Sequence, residues 1–314
     1  MRALNIPSRG DQPRLSELPV PEVGEGTVLI RVRAAALNAV DNGIAAGMMA
    51  DAVSHAYPLV LGRDAAGVVE AVGAGVDHVT AGDEVIAHIL LAPPVQAGTL
   101  AEYALAPATA VTPKPAELDF TAAAALPLAG AAAADAVDRI NPQPGQTVLV
   151  NGASGGVGSY AVQLLAARGA TVLATGTAAD TDRLTRLGAT QVIDFTTGSV
   201  ADQVRADYPD GVDGLINLVG YTAADVPLAA VRAGGVVAST TGAPDDDTLN
   251  ANGLTGGSFL AAPVRQVIQT LAELAASGAL TIDVETVLPL DQATEGLALL
   301  ASGQARGKIV VNIG

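Results

Sequence analysis

The chain has 314 residues, 50% of them apolar and 15% charged, and 32 acidic against 16 basic residues leave a formal charge of −16. That length predicts two domains or one large one, with a core built mainly from Ala, Val and Leu because aromatics are only 3%. The acidic surface repels phosphate backbones and anionic lipid, which excludes nucleic acid and membrane as bulk partners. The absence of cysteine excludes disulfides, thiolate metal sites and thiol nucleophiles.

In chain order, residues 1–118 read as strands. TVLIRVRAA (27–35) alternates in hydropathy, and GVVEAVG (67–73) and DEVIAHI (83–89) are short β-branched runs between Gly, Asp and Pro, the punctuation of an antiparallel barrel. From 119 the period changes. An Ala-rich helix (119–139) leads to strand 147–151, helix 157–168, strand 171–175, helix 180–187, strand 190–195 and a helical turn at 200–207. Strand 214–220, helix 223–232, strand 235–240, a loop at 242–253, helix 264–278 and a strand–helix–strand tail ending in GKIVVNI (307–313) complete the chain. Strands alternating with helices predict right-handed βαβ units around a parallel sheet. The start, MRALNIPSRGD, lacks the apolar core of a signal peptide, and stretches 85–101 and 120–134 are too short, proline-broken or alanine-weak to span a bilayer. The expectation is a soluble cytoplasmic protein.

The stretch VNGASGGVGSY (150–160) carries the most chemistry. Its glycines form either a tight turn or a phosphate cradle. The cradle is favoured because a buried-type strand precedes the loop and an apolar-periodic helix follows it. The spacing is Ala153-x-Gly155-x-x-Gly158. Gly155 lets the backbone approach a pyrophosphate and Gly158 lets the helix lie close on the strand. The backbone from Ser154 through Gly156 and Val157 to the helix start turns free N–H groups and the positive dipole end to the anion. At the end of the next strand an acid bonding a ribose 2′-OH signals NAD. This chain has Thr175, Gly176 and Thr177 there, and the two threonine hydroxyls can donate to a 2′-phosphate. Arg183 either adds positive charge or is a solvated helix residue. The cofactor predicted on this basis is NADPH.

Together the residues resemble the zinc-independent quinone oxidoreductase (zeta-crystallin-like) branch of the medium-chain dehydrogenase/reductase superfamily. The likeness runs through AALNAVDNGIAAG (35–47), YPLVLGRDAAGVVEAVGAGVDHVTAGDEV (57–85), GTLAEYALAP (98–107), AAALPLAGAAAA (123–134) and the glycine loop. It continues through RLGATQVIDF (186–195), VDGLINLVG (212–220), GGVVAST (234–240) and GKIVV (307–311). It implies an α/β fold: a Rossmann doubly wound parallel sheet at 119–262, plus a GroES-like antiparallel β-barrel domain from 1–118 and 263–314. It also implies a homodimer through the edge strand near 253–260, where pairing covers an open edge.

Zinc-bearing relatives carry Gly-His-Glu where this chain reads Gly62-Arg63-Asp64, and a four-Cys lobe where only LLAPPVQAG (90–98) stands. His55, His78 and His88 are too sparse for a three-ligand site, so no metal is expected. Arg63 and Asp64 read as structural, as a mutual or nearby ion pair. Without a Lewis acid the resemblance implies hydride addition from NADPH to a quinone or an α,β-unsaturated carbonyl, in a dry cleft between domains.

By the same resemblance Asn38 faces the nicotinamide or substrate, and Asp41 orients its loop. Tyr57 is either a proton donor or a packing residue. Gly43 stands where many relatives carry a Tyr, which leaves more room. Val219, Gly220 and Tyr221 run along the nicotinamide ribose, Thr240, Thr241 and Gly242 follow the next strand, and Phe259 and Leu260 reach the carboxamide end. Phe195 replaces a Tyr of relatives near the adenosine phosphate, and Ala131–Ala134 replace a stretch that often offers a Thr; the first weighs against NADPH. Two other functions fit the sequence: an enoyl reductase acting on carrier-bound substrates, disfavoured by the lack of a basic dock, and a non-enzymatic NADPH-binding or structural protein.

Overall fold

The computed structural model describes residues 1–48, 50 and 53–314, and the chain divides into two compact units. The first comprises Met1–Ala129 and Pro263–Gly314, the second Gly130–Ala262. Among the described residues no helix is long and apolar enough to cross a membrane.

The first unit is built on the strand Thr27–Ala36, which is buried on both faces along most of its length. Along its length it pairs antiparallel with Asp64–Val72. On its other edge its first half pairs with Tyr103–Pro107 and its last residues with Lys308–Asn312, near the end of the chain. Glu84–His88 and Val111–Pro113 extend the sheet on one side, and Val284–Pro289 lies parallel to Lys308–Asn312 on the other. A small antiparallel sheet joins Arg2–Ile6 to Arg14–Glu17 and Leu59–Val60. Ile30, Val32, Leu61, Val85, Leu100 and Ile309 fill the core between them.

The second unit is a six-stranded, wholly parallel sheet in the order Gln191–Asp194, Thr171–Gly176, Thr147–Asn151, Val212–Asn217, Val231–Ser239, Thr255–Ser258. This is the strand order of a Rossmann doubly wound sheet, with its order reversing beside Thr147–Asn151. Leu149, Leu173, Ile193, Leu215 and Val237 form its core.

Four local expectations are corrected. The single helix expected at 119–139 is two, Phe120–Ala124 and Pro127–Ile140. Asp119 caps the first by accepting from Ala122 N at 2.7 Å, and Pro127, lacking an N–H, can only open a new helix. Because the first of these helices lies on Thr27–Ala36 and Asp64–Val72, the unit boundary falls after Ala129 rather than after 118. The helix expected at 223–232 is two 3-10 turns, Ala223–Asp225 and Leu228–Ala230, and the strand already begins at Val231. Asp225 binds back to Thr222 Oγ1 at 2.7 Å and Pro227 removes a helix donor, so no α-helix propagates. Finally, the loop expected at 242–253 contains the helix Asp246–Ala251, capped by Asp245 accepting from Thr248 N at 2.8 Å.

Candidate active site

In the second unit the strand Thr147–Asn151 runs into Gly152, held at φ +90°, and Gly155 caps the twelve-residue helix Gly156–Ala167. A Cβ on Gly158 would lie 2.3 Å from the Gly152 carbonyl oxygen and 2.5 Å from Ala153 Cα, so helix and loop approach as only glycine allows. Gly155 is different. Its φ is −79°, and a Cβ there would meet only the Gly152 oxygen at 3.6 Å, an ordinary contact. Neither the backbone nor the packing of this unit requires glycine at 155, and the missing side chain leaves the loop surface open to a ligand. The terminus of a twelve-residue helix supplies that ligand with free N–H groups and a positive dipole end, a donor set suited to a diphosphate. Ser154, Gly156 and Val157 are all partly exposed around this cradle.

Thr175 and Thr177 both bond within the protein. Thr175 is 2% exposed, and its Oγ1 accepts from Gly152 N at 2.8 Å, bracing the loop from the neighbouring strand. Thr177 Oγ1 donates to Asp180 Oδ2 at 2.8 Å, and the same carboxylate oxygen accepts from Thr177 N. Both hydroxyls turn inward because a backbone N–H or a capping carboxylate lies within reach of so short a side chain. Arg183 does lie at the loop, its Nη2 donating to Ser154 O at 2.8 Å, with Asp180 3.6 Å away. Gly176 is buried under Leu184, and Phe195 is half exposed beside it.

The other expected cofactor residues surround the same end of the sheet. Val219 lies over Gly152; Gly220 (φ +87°) turns the chain there, and Tyr221 is exposed. Thr240 N donates to Asn217 O, Gly242 is exposed, and Thr241 joins a buried polar chain that the sequence reading missed. Asn151 Nδ2 donates to Asn217 Oδ1 at 2.9 Å, and Asn217 Nδ2 reaches Ser239 Oγ and Thr241 Oγ1, each at 3.2 Å. This chain links the carboxyl ends of the adjacent strands where ligands bind in open α/β sheets. Its signal was a polar residue ending each apolar run: TVLVN, GLIN, VVAS. Phe259 is buried under the Arg139 guanidinium, 4.6 Å from its ring centre, whereas Leu260 is exposed.

In the first unit Asn38 precedes the helix Ala39–Ala45, and Asp41 accepts from Asn38 N at 2.8 Å through Oδ2. Asp41 orients that turn as expected, but it is fully buried and its Oδ1 has no hydrogen-bond partner. Burial pushes its carboxyl up to about 6, against the pull of the Arg63 guanidinium and the Asn38 N–H. Arg63 precedes the strand Asp64–Val72 and makes its hydrogen bonds to carbonyls rather than to Asp64, although Asp41 and Asp64 attract its charge. Arg63 Nη2 donates to the carbonyls of Val60 and Ala97 at 3.2 and 2.6 Å, and burial lowers its pKa. Asp64 instead faces its cross-strand neighbour His88, Oδ1 to Nδ1 at 2.6 Å, and accepts from Leu128 N and Asn38 Nδ2. Lys308, also missed, completes the cluster by donating to Asn38 Oδ1 at 2.6 Å and Leu37 O at 2.8 Å. Tyr57 stands apart, edge-on to His55 with ring centres 6.4 Å apart and packed on the core, which is the packing alternative. Gly43 has room for a Cβ, whose nearest neighbour would be Met48 at 3.6 Å. Among the described residues no three His, Cys, Asp or Glu side chains gather as a metal site.

Comparison with known proteins identifies the family. The alcohol dehydrogenase GroES-like domain matches residues 24–116, and the zinc-binding dehydrogenase family matches 187–311. The NADPH-dependent alkenal/one oxidoreductase of Arabidopsis thaliana chloroplasts is 33% identical over 303 residues, covering 94% of this chain and 74% of that protein. A solved NAD-dependent alcohol dehydrogenase superposes with a TM-score of 0.88 at 31% identity, covering all of both chains. The quinone oxidoreductase of Coxiella burnetii superposes with a TM-score of 0.89 at 26% identity over all of this chain and 98% of that one. With its six parallel strands, its glycine loop and its antiparallel unit, the chain belongs to the medium-chain dehydrogenase/reductase superfamily, in the quinone oxidoreductase branch.

Proposed function

We propose that the protein is a reductase that uses NADPH to reduce quinones or α,β-unsaturated carbonyls. The observation that carries the dinucleotide is Gly155, a glycine that its own unit does not need, at the mouth of a twelve-residue helix. Bound there, a reduced nicotinamide dinucleotide supplies a hydride, which the β-carbon of an enone or a quinone ring accepts more readily than a saturated carbon. The chain's own part is to hold the diphosphate with loop N–H groups, brace that loop through Thr175 and Arg183, and keep it rigid by the Asn151–Asn217–Ser239 chain. NADPH rather than NADH is supported by the Arabidopsis relative's name and by the local charges. The Arg183 guanidinium, which donates to Ser154 O and lies 3.6 Å from buried Asp180, sets a positive charge at the loop, which favours a 2′-phosphate.

The test is consumption of NADPH, followed by its absorbance, with a panel of quinones and enones, alongside fluorescence titrations of NADPH and NADH. Tighter NADPH binding and turnover of at least one acceptor are expected. Binding without turnover of any acceptor would refute the reductase, and tighter NADH binding would refute the cofactor choice. We propose further that two copies associate through Thr255–Ser258, which ends the parallel sheet with one free edge. Sedimentation giving a monomer at micromolar concentration would overturn that pairing.

A further inference from the structure

We infer that Lys308 is a positioning residue: with Asp64 it locks the Asn38 carboxamide in one orientation, so that Asn38 meets a bound ligand as a hydrogen-bond acceptor and not as a donor. The locked orientation rests on geometry alone, whereas the meeting of Asn38 with a ligand, and the kinetic test, rest on the reductase reading.

Strand pairing brings the three residues together. Ala36 sits opposite Asp64 on one side and Val310 on the other. Asn38 lies two residues beyond Ala36, and Lys308 two before Val310. The side chains meet at the same end of three adjacent strands. Lys308 is 4% exposed, and burial lowers its pKa while the carboxylates of Asp64 and Asp41 oppose that shift. An apolar side chain could fill this position without the cost of burying an ammonium. The ammonium's visible return is directional, since it donates to Asn38 Oδ1 at 2.6 Å and to Leu37 O at 2.8 Å.

The orientation of an amide follows from its partners. An ammonium only donates, so the oxygen of Asn38 must face Lys308. A carboxylate accepts, so its nitrogen must face Asp64, whose Oδ2 lies 2.8 Å away. The remaining N–H is directed to Ala36 O at 3.4 Å. Flipping the amide would set nitrogen against ammonium and oxygen against carboxylate, losing two charge-assisted bonds at once. The frame is itself held. Asp64 is fixed by His88 at 2.6 Å and Leu128 N at 3.2 Å, and the Asn38 backbone N–H by Asp41 at 2.8 Å. Asn38 therefore has no N–H left for a ligand carbonyl oxygen. What it presents is an oxygen polarised by Lys308, an acceptor and not a donor. It suits an N–H or O–H of the bound ligand.

The test is a double-mutant cycle of Lys308→Met and Asn38→Ala, read as kcat/KM for a quinone with NADPH, with circular dichroism to confirm folding. Each single variant is expected to lose at least about tenfold, the double variant no more than about twofold beyond the worse single one, and Lys308→Arg to recover most of the loss. Losses that multiply would show that Lys308 does not act through Asn38 and would overturn the inference. A second readout needs no substrate. The side-chain amide protons of Asn38, assigned in NMR spectra by their disappearance in Asn38→Asp, should be protected from exchange in the wild type. In Lys308→Met, or in Lys308→Arg should the Met variant not fold, they should shift and the Met variant's exchange at least about tenfold faster. Unchanged resonances and exchange in a folded Lys308→Met, or unchanged resonances in Lys308→Arg should the Met variant not fold, would overturn the inference. If the wild type reduces no acceptor, the reductase reading fails while the NMR comparison still decides the role of Lys308.

Discussion

Replacing Asp41 by Asn tests the electrostatics of the Asn38 turn directly. The wild-type carboxyl is fully buried and titrates at about 6 in the folded protein, against 3.8 for an unperturbed group. Between those two values the folded state holds a proton that the unfolded chain has released. Stability therefore falls as pH rises from 3.8 to about 6 and then stays level at its lower value. The whole interval corresponds to on the order of 3 kcal/mol, at about 1.36 kcal/mol per pH unit. Asp41→Asn cannot ionise, so it escapes that loss. Its amide oxygen can still accept from Asn38 N, while its NH₂ enters the place where Oδ1 lacks a partner, a pH-independent cost of roughly 1–3 kcal/mol. The informative quantity is thus the pH dependence of the difference, measured by urea unfolding of both proteins between about pH 4 and pH 8. The variant should gain on the wild type by on the order of 3 kcal/mol across that range. A difference flat with pH would refute the account. A wild type that gains on the variant as pH rises would show that attraction to Arg63 outweighs desolvation.

Gly155→Ala should fold with an unchanged melting temperature, since its Cβ meets one atom at 3.6 Å, yet bind NADPH at least about tenfold more weakly in a fluorescence titration. Undiminished binding would remove the diphosphate from this loop. Gly158→Ala should instead lose stability, by about 1–3 kcal/mol or more in urea unfolding, because its Cβ would lie 2.3 Å from a carbonyl oxygen. Equal stability would show that the helix can back away from the strand. Thr175→Val removes the acceptor of Gly152 N–H and should cost roughly 1–3 kcal/mol in the same assay. If it also weakened NADPH far more than NADH, the hydroxyl would after all read the 2′-phosphate.

The second unit was largely legible as sequence. Short apolar strands alternating with helices fix a parallel βαβ series by local periodicity, and the Ala153-x-Gly155-x-x-Gly158 spacing marks the loop because its residues lie within six positions of one another. The errors arose where a local rule met a particular neighbour. Pro127 split one helix, Pro227 and Asp225 prevented another, and Asp245 capped a helix inside a stretch read as loop.

What the chain by itself determined is the order of its elements, the glycine cradle and its family likeness, all carried by residues close together in sequence. Only the tertiary structure decided what the polar side chains do. Thr175 braces Gly152 from the next strand because Gly152 N and Thr175 Oγ1 lie 2.8 Å apart although their positions are 23 apart in sequence. Lys308 reaches Asn38 across 270 residues, and Asp64 reaches His88 rather than adjacent Arg63. A hydrogen bond is settled within about 3 Å, and at that range strand register, which pairs distant segments, chooses each partner.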